Sequence, residues 1–166
     1  MSLGSNRDSV LALAGFIGLG LAAGALAGAM TAPAITTWYG MLTAPPGTPP
    51  NWVFPTVWSC LYVLIGIAAW LVWRRRGARR ALRLWFAQLV LNFLWSPAFF
   101  GLHSPALGLA VIVPLLAAIV LCIRAFARVR VSAALLMAPY LAWVCYATYL
   151  NAGFFYLNPS WARMAP

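Results

Sequence analysis

The sequence has almost no acidic residues. Asp8 is the only carboxylate among 166 residues, and the chain contains no lysine and a single histidine, His103. A proton-coupled pump or transporter relies on ionisable groups inside the membrane, and carboxylate acid–base catalysis needs an acid beside the substrate. Because Asp8 precedes the first apolar run, the sequence argues against a proton-coupled pump or transporter and excludes carboxylate acid–base catalysis.

Candidate metal ligands are equally sparse. Cys60, Cys122 and Cys145 lie separately within apolar runs, where a thiol behaves as a small hydrophobic group, and their spacing implies no pairing. His103 lies in a tight turn, which favours an interfacial role over catalysis or haem ligation. We therefore expect no metal site and no bound cofactor.

Apolar residues dominate the chain. They make up 64% of it, charged residues only 7%, and the mean hydropathy is +0.89. These values predict a multi-pass integral membrane protein, although they do not indicate whether the bacterial inner or outer membrane is its host. We expect residues 1–166 to form one all-α membrane domain, a bundle of five transmembrane helices at about 9–30, 53–73, 81–102, 105–127 and 131–156.

The eleven basic residues are all arginine and lie between the apolar runs rather than on a nucleic-acid-binding face. Two clusters contain Arg74, Arg75, Arg76, Arg79, Arg80 and Arg83, and then Arg124, Arg128 and Arg130. By the positive-inside rule, these clusters predict that the N-terminus lies on the Arg-loop side and the C-terminus on the uncharged side. We expect no nucleic-acid partner.

A proline-rich segment at 32–52 connects the first two apolar runs. Its prolines remove backbone donors, which predicts a semi-rigid loop rather than a helix; they are Pro33, Pro45, Pro46, Pro49 and Pro50. Its aromatic residues favour the membrane interface. We therefore expect the loop to lie over the bundle as a lid.

Three predicted helices each carry aromatic or amide residues along one face. These faces are Phe54, Trp58 and Tyr62; Gln88, Asn92, Trp95 and Phe99; and Tyr140, Trp143, Ala147 and Asn151. Because amides are costly against lipid, the faces should meet inside the bundle, in the half of the membrane beneath the loop. Periodicity alone leaves two interpretations open, a ligand pocket and ordinary packing.

Glycines recur every four residues in the first apolar run, at Gly20, Gly24 and Gly28. Such a smooth face permits close approach of another helix. It predicts either a homodimer through the first helix or packing inside a single bundle.

Several motifs resemble those of one known family. They are Trp38-Tyr39, then Pro49-Pro50-Asn51-Trp52-Val53-Phe54-Pro55, then Trp58 with Leu61-Tyr62, Gln88 to Asn92, Trp95, Pro97, Phe99-Phe100-Gly101, Pro139-Tyr140, Trp143, Ala147 and Leu150-Asn151. In order and spacing they resemble the TspO/MBR family of tryptophan-rich sensory proteins and translocator proteins, also called peripheral benzodiazepine receptors. The likeness covers nearly the whole chain.

The resemblance implies a five-helix bundle, commonly a homodimer, that binds porphyrins, sterols or isoquinoline and benzodiazepine-type molecules under its first loop. Carried over by position, the implied ligand-binding residues are Trp52, Trp58, Tyr62, Asn92, Trp95, Phe99, Trp143, Ala147 and Asn151. Trp58 and Trp143 also match two indoles implicated in light-dependent porphyrin breakdown. The loop departs from the family pattern, because it lacks the usual lysine and one tryptophan.

Three functions therefore stay open. The first is a receptor or translocator for tetrapyrroles such as protoporphyrin IX and haem, or for another flat apolar molecule. The second is an enzyme that degrades porphyrin in light and oxygen through Trp58 and Trp143. The third is a structural or partner-binding membrane protein whose aromatic residues only pack, which failure to bind any porphyrin or sterol would favour. Membrane lipid is an expected partner in each case, and a sterol is a further candidate.

Overall fold

The computed structural model describes residues 6–75 and 77–159, so Arg76 of the first arginine cluster lies outside the described residues. Within them the helices are α1 (Asn6–Thr36), α2 (Val53–Trp73), α3 (Arg79–Ser96), α4 (Pro105–Ala127), α5 (Val131–Leu136) and α6 (Ala138–Leu157). A short 3₁₀ turn forms at Tyr39–Met41 and a π-helical turn at Pro97–Gly101. The described residues are thus organised almost entirely as helix.

Five segments are long and apolar enough to cross a membrane. They are Asn6–Thr36, Val53–Trp73, Arg79–Gly101, Pro105–Ala127 and Val131–Leu157. A span needs about 20 apolar residues, and each segment meets that length. The prediction of an all-α, five-span integral membrane protein is confirmed.

The first helix is longer than expected. It continues past residue 30 to Thr36 and contains Pro33, so the connecting loop begins at residue 37 rather than 32. Near a helix end, one missing donor disturbs few hydrogen bonds. The Thr37 hydroxyl also donates to the Pro33 carbonyl at 2.9 Å, which satisfies one acceptor of the last turn.

Two other prolines interrupt predicted helices. Pro139 cannot donate to the carbonyl four residues earlier, and the fifth span is broken at Met137 into α5 and α6. Pro97 similarly ends α3, and the chain widens into the π-helical turn, in which Leu102 N–H donates to the Pro97 carbonyl at 2.9 Å. Such π turns are frequent at functional sites.

The packed core lies mainly in the half of the bundle near the Arg loops. There, fully buried side chains from α2 to α6 meet, among them Val72, Trp85, Ile119, Phe126 and Tyr140. A second cluster lies under the first loop and contains Trp38, Leu42, Phe99, Leu150 and Phe154. The two clusters leave room for a cavity between α1, α2, α3 and α6.

Glycines allow α1 to pack closely along α2. A Cβ atom at Gly24 would overlap the Tyr62 ring at Cε2, and one at Gly20 would lie 3.2 Å from Tyr62 Cδ1. Gly20 and Gly24 therefore face a neighbouring helix of the same chain, and Gly24 and Gly28 line the cavity. Homodimer formation stays a prediction.

Candidate functional site

A cavity of about 600 Å³ lies in the half of the bundle covered by the first loop. Its walls come from α1, α2, α3, the π-helical turn and α6, and the loop contributes Tyr39 and Asn51. Small-molecule sites in proteins commonly measure about 300–1,000 Å³. The cavity is therefore large enough for a ligand of drug size.

Most of the sequence-predicted site residues lie on this cavity. They are Trp58, Tyr62, Asn92, Trp95, Phe99, Ala147 and Asn151. Phe54, from the same face of α2 as Trp58, also lines it. The three predicted helix faces thus meet around one space rather than filling it.

Trp52 and Trp143 do not line the cavity. Trp52 precedes α2 and its side chain is 69% exposed. Trp143 packs against Phe54 and Tyr146, with ring centroids 6.0 and 5.6 Å away. Its indole nitrogen is buried and has no hydrogen-bond partner among the described residues. Trp143 therefore contacts a lining residue, Phe54, without lining the cavity itself.

A chain of hydrogen bonds forms the floor of the cavity. Tyr62 donates its hydroxyl hydrogen to Asn92 Oδ1 at 2.6 Å, and Asn92 Nδ2 donates to the Tyr140 hydroxyl oxygen at 3.2 Å. Tyr140 in turn donates to Gln88 Oε1 at 2.7 Å. All four side chains are buried. Each amide therefore satisfies the polar groups of its neighbours in an apolar surrounding.

The chain of hydrogen bonds continues from the cavity floor toward the core. Gln88 Nε2 donates to the Trp85 carbonyl at 2.9 Å, and Trp85 Nε1 donates to the Ile65 carbonyl at 3.0 Å. The Trp85 bond ties α3 to α2, and the Tyr140–Gln88 bond ties α3 to α6. The floor is consequently a fixed element rather than a set of free groups awaiting a ligand.

The inner wall is held by a second amide. Asn151 Oδ1 accepts a hydrogen bond from Trp95 Nε1 at 3.0 Å, and Asn151 Nδ2 donates to the Pro105 carbonyl at 2.8 Å. Trp95 stacks on Phe99 with centroids 5.3 Å apart and an interplanar angle of 24°. The wall thus contributes an aromatic residue whose N–H group is already used, which suits apolar and aromatic contact with a ligand.

The sequence did not reveal the wall contributed by α1. Its lining residues are Leu21, Gly24, Ala25, Ala27, Gly28, Thr31 and Ile35. Among them Gly24, Gly28, Thr31 and Ile35 recur at the same four-three-four spacing as the predicted face of α3, a signal that could have identified this wall. The hydroxyls of Thr31 and Ser96 lie within hydrogen-bonding distance of each other and of the Ala27 carbonyl, so one hydroxyl donates to that carbonyl while the other donates either to it or to its neighbour.

The first loop is fastened to α6. Tyr149 donates its hydroxyl hydrogen to the Pro46 carbonyl at 3.0 Å, and Tyr146 does the same to the Gly47 carbonyl. Near the end of the chain, Asn158 accepts from Thr43 N–H at 2.8 Å and donates to the Thr43 carbonyl at 3.0 Å. These bonds hold the loop over the cavity.

The loop side chain Tyr39 completes the cover of the cavity. Its ring packs against Phe100 and Phe154, with centroids 5.5 and 5.1 Å away. Burial, and to a smaller extent the neighbouring Tyr146, raises the pKa of Tyr39 to about 12. Tyr39 therefore stays uncharged well above neutral pH.

His103 takes no part in the cavity. It is exposed, has a positive φ of 50°, and its ring lies 5.0 Å from that of Trp38 in the first loop. Among residues 6–75 and 77–159, no group of three histidine, cysteine or acidic side chains could hold a metal ion. The chemistry offered by the site is aromatic stacking and hydrogen bonding.

The hydrogen bonds of the floor yield a prediction about stability. Gln88→Leu removes the acceptor of the Tyr140 hydroxyl, and we expect a loss of about 1 kcal/mol of unfolding free energy. A double variant with Tyr140→Phe should lose less than the sum of the single changes, because no hydroxyl is left unpaired. Thermal unfolding in lipid nanodiscs measures this, and Ala87→Leu on the exposed face of α3 is the control. Additive losses would contradict the proposed coupling.

Comparison with known proteins identifies the family. The model of the TspO/MBR family matches residues 16–157. The chain is similar to "Tryptophan-rich protein TspO" of Chlorobaculum tepidum, with 44% identity covering 92% of this chain and 99% of that protein. It is similar to a protein of the same name from Archaeoglobus fulgidus, with 41% identity covering 83% and 91%. It also resembles "Translocator protein" of Homo sapiens, with 36% identity covering 75% and 76%. This chain therefore belongs to the TspO/MBR family.

Proposed function

We propose that this protein is a membrane receptor or translocator that binds a tetrapyrrole, or another flat apolar molecule, in the cavity beneath the first loop. Family membership and the names of the relatives, "sensory protein" and "translocator protein", support a membrane receptor role. The observation that carries the ligand class is the cavity itself, which has a volume of about 600 Å³ and is walled by aromatic rings.

Trp58 is the central stacking residue in this proposal. Its ring lies on the cavity wall and stacks on Tyr62, with centroids 5.5 Å apart and an interplanar angle of 28°. Trp95 offers a second flat surface on α3. Aromatic pairs of this kind contribute about 0.5–1.5 kcal/mol beyond the burial of apolar area. A planar ring system between these surfaces would gain from both contacts.

The charge of the site limits how a tetrapyrrole can bind. The described side chains that line the cavity include none with a formal charge, and burying an unpaired carboxylate is costly. Binding of a tetrapyrrole here therefore requires its macrocycle inside the cavity and its carboxylates outside the apolar lining. Sterols and benzodiazepine or isoquinoline-type molecules, which carry no such groups, are the other ligands of this proposal.

Tryptophan fluorescence tests the proposal. Protoporphyrin IX should quench the protein saturably in nanodiscs, and Trp58→Phe should weaken binding about five- to tenfold, as expected for the loss of about 1 kcal/mol of stacking. Trp52→Phe and Trp143→Phe are matched controls outside the cavity, and we expect both to bind like the wild type. Undiminished binding by the Trp58→Phe variant would show that protoporphyrin IX does not bind against Trp58 in this cavity.

Enzymatic breakdown of porphyrin is the alternative. Trp58 lines the cavity and Trp143 does not, which favours binding over a reaction that uses both indoles together on one ligand. Mass spectrometry after illumination in oxygen distinguishes the two functions. An intact porphyrin with retained binding supports the receptor role, whereas products that disappear with Trp58→Phe support the enzyme.

A further inference from the structure

The cavity is closed toward the water on the side of α6. Two tyrosines of α6 and the asparagine that follows it hydrogen-bond residues 43–47 of the first loop. Gly153 of α6 also lies so close to Pro45 that a Cβ atom on it would approach the proline ring to 2.5 Å. Opening this side would require breaking several contacts together. Ligand exchange through it is therefore unfavourable.

The opposite side of the cavity lies between α1 and α2. These helices pack tightly at the level of Gly66, where a Cβ atom would lie 2.8 Å from the Cα atom of Ile17. Beyond Tyr62, toward the loop, the cavity separates them. Several residues of this region both line the cavity and are exposed on the surface of the bundle: Leu21, Ala25 and Gly28 on α1, and Pro55 and Ser59 on α2.

We propose that this opening, the α1–α2 slot, admits uncharged, hydrocarbon-rich molecules to the cavity directly from the bilayer. The slot lies within two helices that cross the membrane, so its mouth faces lipid rather than water. The ligand in this proposal rests on the proposed function, whereas the slot itself rests on the geometry alone. Lipid acyl chains have the same chemistry and can enter by the same route.

The rim of the slot suits such traffic. Its residues are small or apolar, and the single hydroxyl, that of Ser59, donates to the Pro55 carbonyl at 2.8 Å. A rim without free polar groups imposes little desolvation cost on an apolar molecule and gives a charged one no compensation. The slot therefore selects by polarity before the cavity selects by shape.

Ligand kinetics test the slot. In nanodiscs loaded with protoporphyrin IX dimethyl ester, which has no carboxylates, Ala25→Phe should slow association and dissociation by about tenfold each, as expected for an obstructed gate. Its Kd should change much less than either rate. Ala29→Phe, exposed on the same helix but outside the cavity, is the matched control. Wild-type rates in the Ala25 variant would overturn the proposal, as would faster exchange in Tyr146→Phe with Tyr149→Phe, which loosens the loop.

A ligand-free measurement separates the slot from the proposed function. Lipids with brominated acyl chains quench tryptophans that they contact, and the contribution of Trp58 is the difference between wild type and Trp58→Phe. We expect the brominated lipids to quench the fluorescence of Trp58. Ala25→Phe should reduce this quenching, and Ala29→Phe should not. An unquenched Trp58 in a protein that binds porphyrin would overturn the slot and leave the receptor role intact. Quenching of Trp58 in a protein that does not bind porphyrin would support the slot and refute the proposal that the ligand is a tetrapyrrole.

Discussion

Replacing Gly66 with leucine should separate α1 from α2 and lower the unfolding free energy by at least about 3 kcal/mol, at the upper end of the cost of overpacking a core. The reason is that a Cβ atom at Gly66 would lie 2.8 Å from Ile17 Cα and 2.9 Å from Ile17 N. Backbone atoms cannot rotate away as a flexible side chain can. The whole of α1 would have to shift.

Gly18→Leu is the matched control for this change. Gly18 lies on the same helix as Ile17, but nothing lies within 4 Å of the position that its Cβ atom would take. Its leucine should point into lipid and leave thermal unfolding in nanodiscs near that of the wild type. Equal destabilisation by both substitutions would show that the loss comes from the residue type and not from the α1–α2 contact.

Replacing Ala147 with phenylalanine should abolish ligand binding while the bundle stays folded. Ala147 lines the cavity and also backs a much smaller cavity of about 10 Å³ behind Trp58 and Trp95. A benzyl group would therefore project into space that the ligand needs. We expect affinity for protoporphyrin IX to fall by about 100-fold or more, which corresponds to about 2.8 kcal/mol.

The control for Ala147→Phe is Ala152→Phe. Ala152 is exposed on α6 and does not line the cavity. Fluorescence quenching by protoporphyrin IX and thermal unfolding should be measured for both proteins. If a stably folded Ala147→Phe variant bound the ligand as strongly as the wild type, the ligand would bind outside this cavity. Wild-type behaviour of the Ala152 variant excludes a general effect of a bulky residue on this helix.

The number of spans could be predicted because it depends on the length and polarity of each segment, which are local properties. The positions at which helices break could not be predicted as well, because the effect of a proline depends on its surroundings. Pro33 is accommodated near the end of α1, whereas Pro139 divides the fifth span and Pro97 initiates a wider turn. One residue type thus gives three outcomes.

The site could be predicted only in part, for a related reason. Side chains that carry a conspicuous group on a regular face, such as Asn92 and Trp95, lie where periodicity suggested. The α1 wall consists largely of glycine and alanine, which carry no chemical signal beyond their spacing. Trp143 belongs to a predicted face but packs against Phe54 of α2 without lining the cavity, because the position of a side chain also depends on what a different helix places beside it.

The fastening of the first loop has a consequence for biosynthesis. Among the described residues, the side chains that hydrogen-bond residues 43–47 to the bundle are those of Tyr146, Tyr149 and Asn158, which the ribosome adds after four spans have already been synthesised. Because chains emerge from the N-terminus, α1 and α2 can pair early, but their loop must wait for the last helix. A nascent chain halted within α5 would thus lack both the α6 wall of the cavity and the groups that hold its loop, and completion of translation is the event that encloses the cavity.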